Sequence, residues 1–121
     1  MTTTTKRTDI SFAQGDDPSL TLTILDANGA PYNLTGKRVT IIIKAKATTP
    51  DAQAIDTLTS VGGSPKITIN TNPATGLAVA DLSTLINTPG TFWWRSYVAS
   101  AADDTAARQT WAYGELVILS V

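Results

Sequence analysis

Apolar residues recur at every second position through most of this chain. Leu20, Leu22 and Ile24 alternate with Ser19, Thr21 and Thr23, the two-residue period of a strand with one buried face. The same period predicts strands at 9–12, with Ile10 and Phe12 inward, and at 38–45, with Val39, Ile41 and Ile43 inward. It continues at 55–60, at 66–70 with Ile67 and Ile69 inward, and at 77–80, 91–99 and 108–121. Ile42 breaks the alternation on the outer face of its strand, so that face is expected to be covered too. Asp26-Ala27-Asn28-Gly29 reads as a turn, because Asn and Gly accept the positive φ that a tight reversal needs. Asn72 to Gly76 closes a hairpin between 66–70 and 77–80, and Ala47 to Pro65 reads as an edge strand with loops. Asp81 to Ile86 has room for one helical turn, capped by Asp81 or Ser83 and stopped by Pro89-Gly90. The sum is an all-β sandwich.

The 121 residues fit one domain large enough to bury a core without metal or disulfide staples. Residues 9–121 are expected to form that domain. Residues 1–8, with Thr2 to Thr5 followed by Lys6-Arg7, are expected to be a flexible tail, free or ordered on a partner. A net charge of −1 leaves no cationic excess to neutralise a phosphate backbone, so nucleic acid is not expected as a partner. No apolar run of signal-peptide or membrane-spanning length follows Met1; synthesis in the cytoplasm and no membrane partner are expected. The absence of cysteine leaves the redox compartment unassigned.

Candidate chemistry is sparse. Without His or Cys the commonest general base, zinc ligands and thiolate nucleophile are missing. Glu115 is the only glutamate, and the pairs Asp16-Asp17 and Asp103-Asp104 read more naturally as solvated turn residues than as calcium ligands or a glycosidase pair. No catalytic residue, metal site or cofactor is expected. The aromatic residues offer more. In a strand at 91–99, Trp93, Arg95 and Tyr97 share one face while Phe92, Trp94 and Val98 share the other. Trp111, Tyr113 and Glu115 share a face of the last strand. If Arg95 pairs with Tyr113, then Tyr97 meets Trp111 and Trp93 meets Glu115, giving an aromatic stripe around one guanidinium. The candidate interaction surface is therefore Trp93, Arg95, Tyr97, Trp111 and Tyr113. Paired aromatics also serve as ordinary sheet stabilisers, and a one-residue shift at Gly114 would swap the faces, so a structural role stays open beside a binding one. Trp rings also stack on sugars, which makes a carbohydrate-binding module the alternative function.

The run Gly15-Asp16-Asp17, then Leu22 to Ile41 through Asp26, Gly29, Pro31, Leu34 and Gly36, resembles the opening of the immunoglobulin-like N-terminal domain of phage baseplate upper proteins and related tail proteins. Pro89 to Arg95 and Gly114 to Ile118 are similar to the ending of such domains. The specific part is the connection from Asp26 to Gly36, where Gly29 turns the chain, Pro31 stiffens it and Leu34 plugs the end of the core. The resemblance implies an immunoglobulin-like antiparallel sandwich of about seven strands. It also implies a non-enzymatic structural or adaptor role in a virion, with other virion proteins as partners and homo-oligomeric assembly. Baseplate upper proteins continue into long trimerising segments, so a chain ending at Val121 is expected to be an adaptor or accessory module.

Overall fold

In the computed structural model, which describes residues 2–82 and 88–120, the alternating segments become strands packed as two sheets. The strands are β1 (Lys6–Arg7), β2 (Ile10–Ala13), β3 (Ser19–Thr23), β4 (Lys37–Lys44), β5 (Asp56–Thr59), β6 (Ile67–Ile69), β7 (Leu77–Asp81), β8 (Gly90–Ser100) and β9 (Gln109–Leu119). One sheet runs β1-β9-β8-β4-β5, with β2 also on β9, and the other runs β3-β7-β6. The sequence neighbours β4–β5, β6–β7 and β8–β9 each stay within one sheet while the chain crosses between sheets at β2–β3, β3–β4, β5–β6 and β7–β8, which makes the fold an all-β sandwich. The expected turn at Asp81–Ile86 falls largely outside the described residues; Asp81 ends β7 and Leu82 is buried.

Two expectations are corrected at the N-terminus. The large sheet is mixed rather than antiparallel, because β1 and β2 run parallel to β9. The tail, moreover, is not free: Thr4 N–H donates to Leu25 C=O at 2.9 Å, Ala27 N–H to Thr2 C=O at 3.0 Å, and the Thr3 hydroxyl to Thr110 C=O at 2.7 Å. Composition alone misses this, since the ordering comes from satisfying backbone groups along β9 and after β3, not from burying the threonine side chains. With β1 counted, nine strands are formed among the described residues instead of about seven.

β1 and β2 share one register on β9, Lys6 opposite Ala112 and Ile10 opposite Leu116, interrupted at Thr8–Asp9. At the interruption the Thr8 carbonyl turns inward and accepts the indole N–H of buried Trp94 at 2.8 Å. Gly114 makes room for it. A Cβ there would lie 2.1 Å from the Thr8 oxygen, closer than any packing allows.

The inward rows behave as the alternation predicts. Leu22, Val39, Ile41, Ile43, Leu58 and Ile67 are buried between the sheets, with Ile10, Phe12 and Ile69 packed against them. The connection after β3 closes one end of this core. The Asp26 carboxylate accepts the N–H groups of Asn28 and Ala30 at 2.9 and 3.0 Å, and Gly29 and Gly36 take positive φ. Pro31 bridges to Leu25, and Leu34 plugs the core beside Tyr32, whose burial the alternation does not reveal. Gly114→Ala should lower unfolding free energy by about 1–3 kcal/mol through this overpacking, read as a lower urea midpoint at unchanged m-value.

Candidate interaction face

The outer face of the large sheet is built by the other half of each alternation. Across it run Thr57, Ile42, Arg95, Tyr113 and Arg7 as one cross-strand row, with Lys44, Trp93 and Glu115 as the next. Arg95 opposite Tyr113 and Trp93 opposite Glu115 are the pairings expected from the sequence. The ladder then slips by one residue: Ser96 faces Ala112 but Tyr97 faces Thr110. Trp111 is the extra residue of this β-bulge, and the bulge turns it to the core side.

The Tyr97–Trp111 contact expected from unbroken pairing is therefore not made, and the shift falls at Trp111 rather than at Gly114. Trp111 is buried edge-on against Trp94, with ring centroids 6.4 Å apart. Of the five candidate residues, Trp93, Arg95 and Tyr113 remain together on the face. Trp93 and Tyr113 lie 5.9 Å apart with tilted rings, and the Arg7 guanidinium sits 5.4 Å from the Trp93 ring centre. Arg7 itself is steered by Asp9, whose carboxylate accepts the Glu115 N–H at 3.0 Å; that bond, then Arg7, holds Asp9 below the usual carboxylate range.

Tyr97 stays on the outer side but is buried there with Ile42, Ala99 and Ala54. The cover expected over Ile42 is thus the segment after β4, which folds back through a 3₁₀ turn at Asp51–Gln53. Asp51 clips it down. Its carboxylate takes the buried Lys44 ammonium at 3.2 Å on one oxygen and the Arg95 guanidinium on the other. A second clip comes from the β8–β9 tip: Asp104 accepts the Tyr97 hydroxyl at 2.9 Å and Arg108 at 2.8 Å, while Arg38 stands 3.8 Å away. Arg95 and Arg108 flank the Tyr97 ring at 5.3 and 4.3 Å. Burial, and after it the Asp104 carboxylate, hold the Tyr97 phenol above the ordinary tyrosine range.

Sequence reasoning passed over Asp51 and Lys44 and read Asp104 as a solvated turn residue, whereas it binds Tyr97 and Arg108 across the sheet; the apolar exception at Ile42 was the signal that a loop returns over this face. Asp103 and Asp104 divide their work: Asp103 caps its own turn through the Thr105 hydroxyl and N–H, and Asp104 reaches across to β8. Among the described residues no group of three or more His, Cys, Asp or Glu side chains could hold a metal ion, and no helix is long and apolar enough to cross a membrane. No protein-family model and no curated protein matches the chain.

Asp51→Ala strands the buried Lys44 and should cost about 2–3 kcal/mol, measured by chemical denaturation. Tyr97 links stability to alkaline pH. Its raised folded-state pKa gives stabilisation that is complete below about pH 10, the unfolded-state value, and is lost as pH rises through the folded value. Tyr97→Phe should therefore flatten the alkaline fall in melting temperature and remove one late-titrating phenol from the absorbance at 295 nm. Tyr32, raised by burial, keeps its own share.

Proposed function

We propose that this protein is a non-enzymatic structural or adaptor component of a phage or prophage particle, in the tail, the baseplate or the head–tail connection, working through protein–protein contacts. The observation that carries the contact role is the preorganised face of Trp93, Tyr113, Arg7 and Arg95. Trp, Tyr and Arg are the residue types that dominate binding energy at interfaces. Here they are fixed before any partner arrives, since Arg95 is held by Asp51 and Thr110, and Arg7 by Asp9. Preorganisation of that kind lowers the entropy cost of association.

The virion setting rests on the resemblance carried by Gly15 to Asp17 and by the Asp26–Gly36 connection. Ring-like homo-oligomers are the natural assembly for such a part, because particle proteins act in repeated copies around an axis. Carbohydrate binding is the weaker reading. Arg7 lies over the Trp93 ring, and Trp111 is buried against Trp94, so the flat exposed ring that a sugar would stack on is occupied or withdrawn.

Mass spectrometry of purified particles from the strain that encodes the chain tests this directly. The expected result is incorporation at a copy number that is a multiple of three, five or six. A Trp93→Ala/Tyr113→Ala double variant should fold yet be depleted from particles. A chain abundant in cells but absent from particles would overturn the virion role, and saturable quenching of tryptophan emission by glycans would turn the reading toward carbohydrate.

A further inference from the structure

One side of the sandwich is left open. β3 pairs with β7 alone and is the last strand of its sheet. The bonds that end the ladder, Leu82 N–H to Pro18 C=O at 3.0 Å and Ile24 N–H to Gly76 C=O at 2.9 Å, show that even-numbered residues turn their backbone toward β7. The N–H and C=O groups of Thr21 and Thr23 consequently point out of the sheet edge. Edges of this kind are usually blunted by charge, proline or a bulge. β3 reads Ser-Leu-Thr-Leu-Thr and carries none of these.

Beside that edge lies a cleft of about 240 Å³. Its position follows from the path of the N-terminal segment. That segment first pairs with the continuation of β3, Thr3 with Asp26 and Thr4 N–H on Leu25 C=O. It then leaves β3 and joins β9 at Lys6–Arg7. Continued along β3, it would have covered Thr21 and Thr23; by crossing over it leaves their edge bare. Lys6 and Thr8 now line the cleft opposite them, and Trp94 and Trp111 lie toward the core. Among the described residues the buried indole N–H of Trp111 has no acceptor and Lys6 makes no ion pair.

We propose that this cleft is a strand-addition site for an extended segment of another protein that carries one apolar side chain next to an acidic one. The open backbone groups of Thr21 and Thr23 require a strand, which would prolong the ladder begun by Thr3 and Asp26. The tryptophan-lined interior takes the apolar side chain, and Lys6, which lines the cleft without an ion pair among the described residues, selects a neighbouring carboxylate. A second copy of β3 is a poorer occupant, because Leu22 is already buried in its own core and Leu20 packs against that core, which would leave the cleft unfilled. The site is separate from the aromatic face and stands whatever particle the protein belongs to.

The test uses the full chain and four acetylated, amidated hexapeptides of β-branched residues, with Phe or Leu at one central position and Glu or Lys beside it. Binding is read by anisotropy of a labelled peptide and by tryptophan emission. The Phe/Glu peptide should bind saturably, and N-methylation of its alternate amides should weaken it by about tenfold or more, the loss expected for one or two backbone hydrogen bonds. Thr21→Pro removes only an outward N–H, so the fold should persist while binding falls similarly. Should that variant not fold, Thr21→Lys serves in its place. Lys6→Glu should reverse the preference to the Lys-containing peptides. Equal binding of the N-methylated peptide, no saturable binding by any of the four, or a wild-type dimer in sedimentation velocity that Thr21→Pro dissociates would each overturn the proposal.

Discussion

One supernumerary residue in the last strand sets which side chains near the tip of the β8–β9 hairpin face the core and which face out. Before the slip at Ser96/Tyr97, the β8 and β9 side chains alternate in step; after it, Tyr97 faces Thr110 and Trp111 has changed sides. The bulge gives the core its edge-to-face tryptophan pair and leaves the Thr110 hydroxyl where Arg95 can donate to it at 2.9 and 3.2 Å. It also removes from the outer surface the one indole that straight pairing would have placed there. The aromatic face is thus smaller and more polar than an unbroken ladder would make it. The apolar lining of the cleft beside β3 has the same origin.

Two carboxylates then determine how the outer face is finished. Asp51 and Asp104 each come from a loop and each engage more than one cation, so two flexible connections are tied to the sheet by charge-assisted hydrogen bonds rather than by apolar burial. The fixed guanidiniums are a by-product of this arrangement. Arg95 and Arg108 are ordered because they hold a loop down, and ordered cations beside aromatic rings are what a protein partner can exploit. Fold maintenance and the proposed recognition draw on the same side chains.

Alternation made most of the sheet legible in the sequence. Val39, Ile41 and Ile43, or Ile67 and Ile69, report their own burial, and Asp26, Gly29 and Gly36 report their turn through the backbone conformations they permit. The features that escaped are those without a local pattern. A parallel ladder between residues 6–13 and 112–119 depends on chain ends meeting in space, and no period of two reveals its direction. The bulge at Trp111 leaves no mark in composition, because a one-residue slip is decided by how Trp111 packs on Trp94 rather than by any turn residue. Gly114 was visible as an oddity in a strand, but its reason, the inward Thr8 carbonyl, lies more than a hundred residues away. Asp51 and Asp104 became interpretable only when their distant partners on β4 and β8 were known.

The parallel pairing of β1 and β2 with β9 also governs when the protein can come into being on the ribosome. β9 follows the other eight strands in sequence, yet in the sheet it lies between the N-terminal strands and β8. Until residues 109–119 leave the exit tunnel, the large sheet lacks an interior member and the N-terminal strands have nothing to pair with. Native sheet assembly therefore awaits the emergence of β9, and its closing contacts join residues 6–13 to residues 112–119, the topology associated with slow folding. A nascent chain in that interval exposes the edge of β8 as well as the edge of β3 that the finished fold leaves open, and unpaired strand edges are what make incompletely folded chains prone to aggregate.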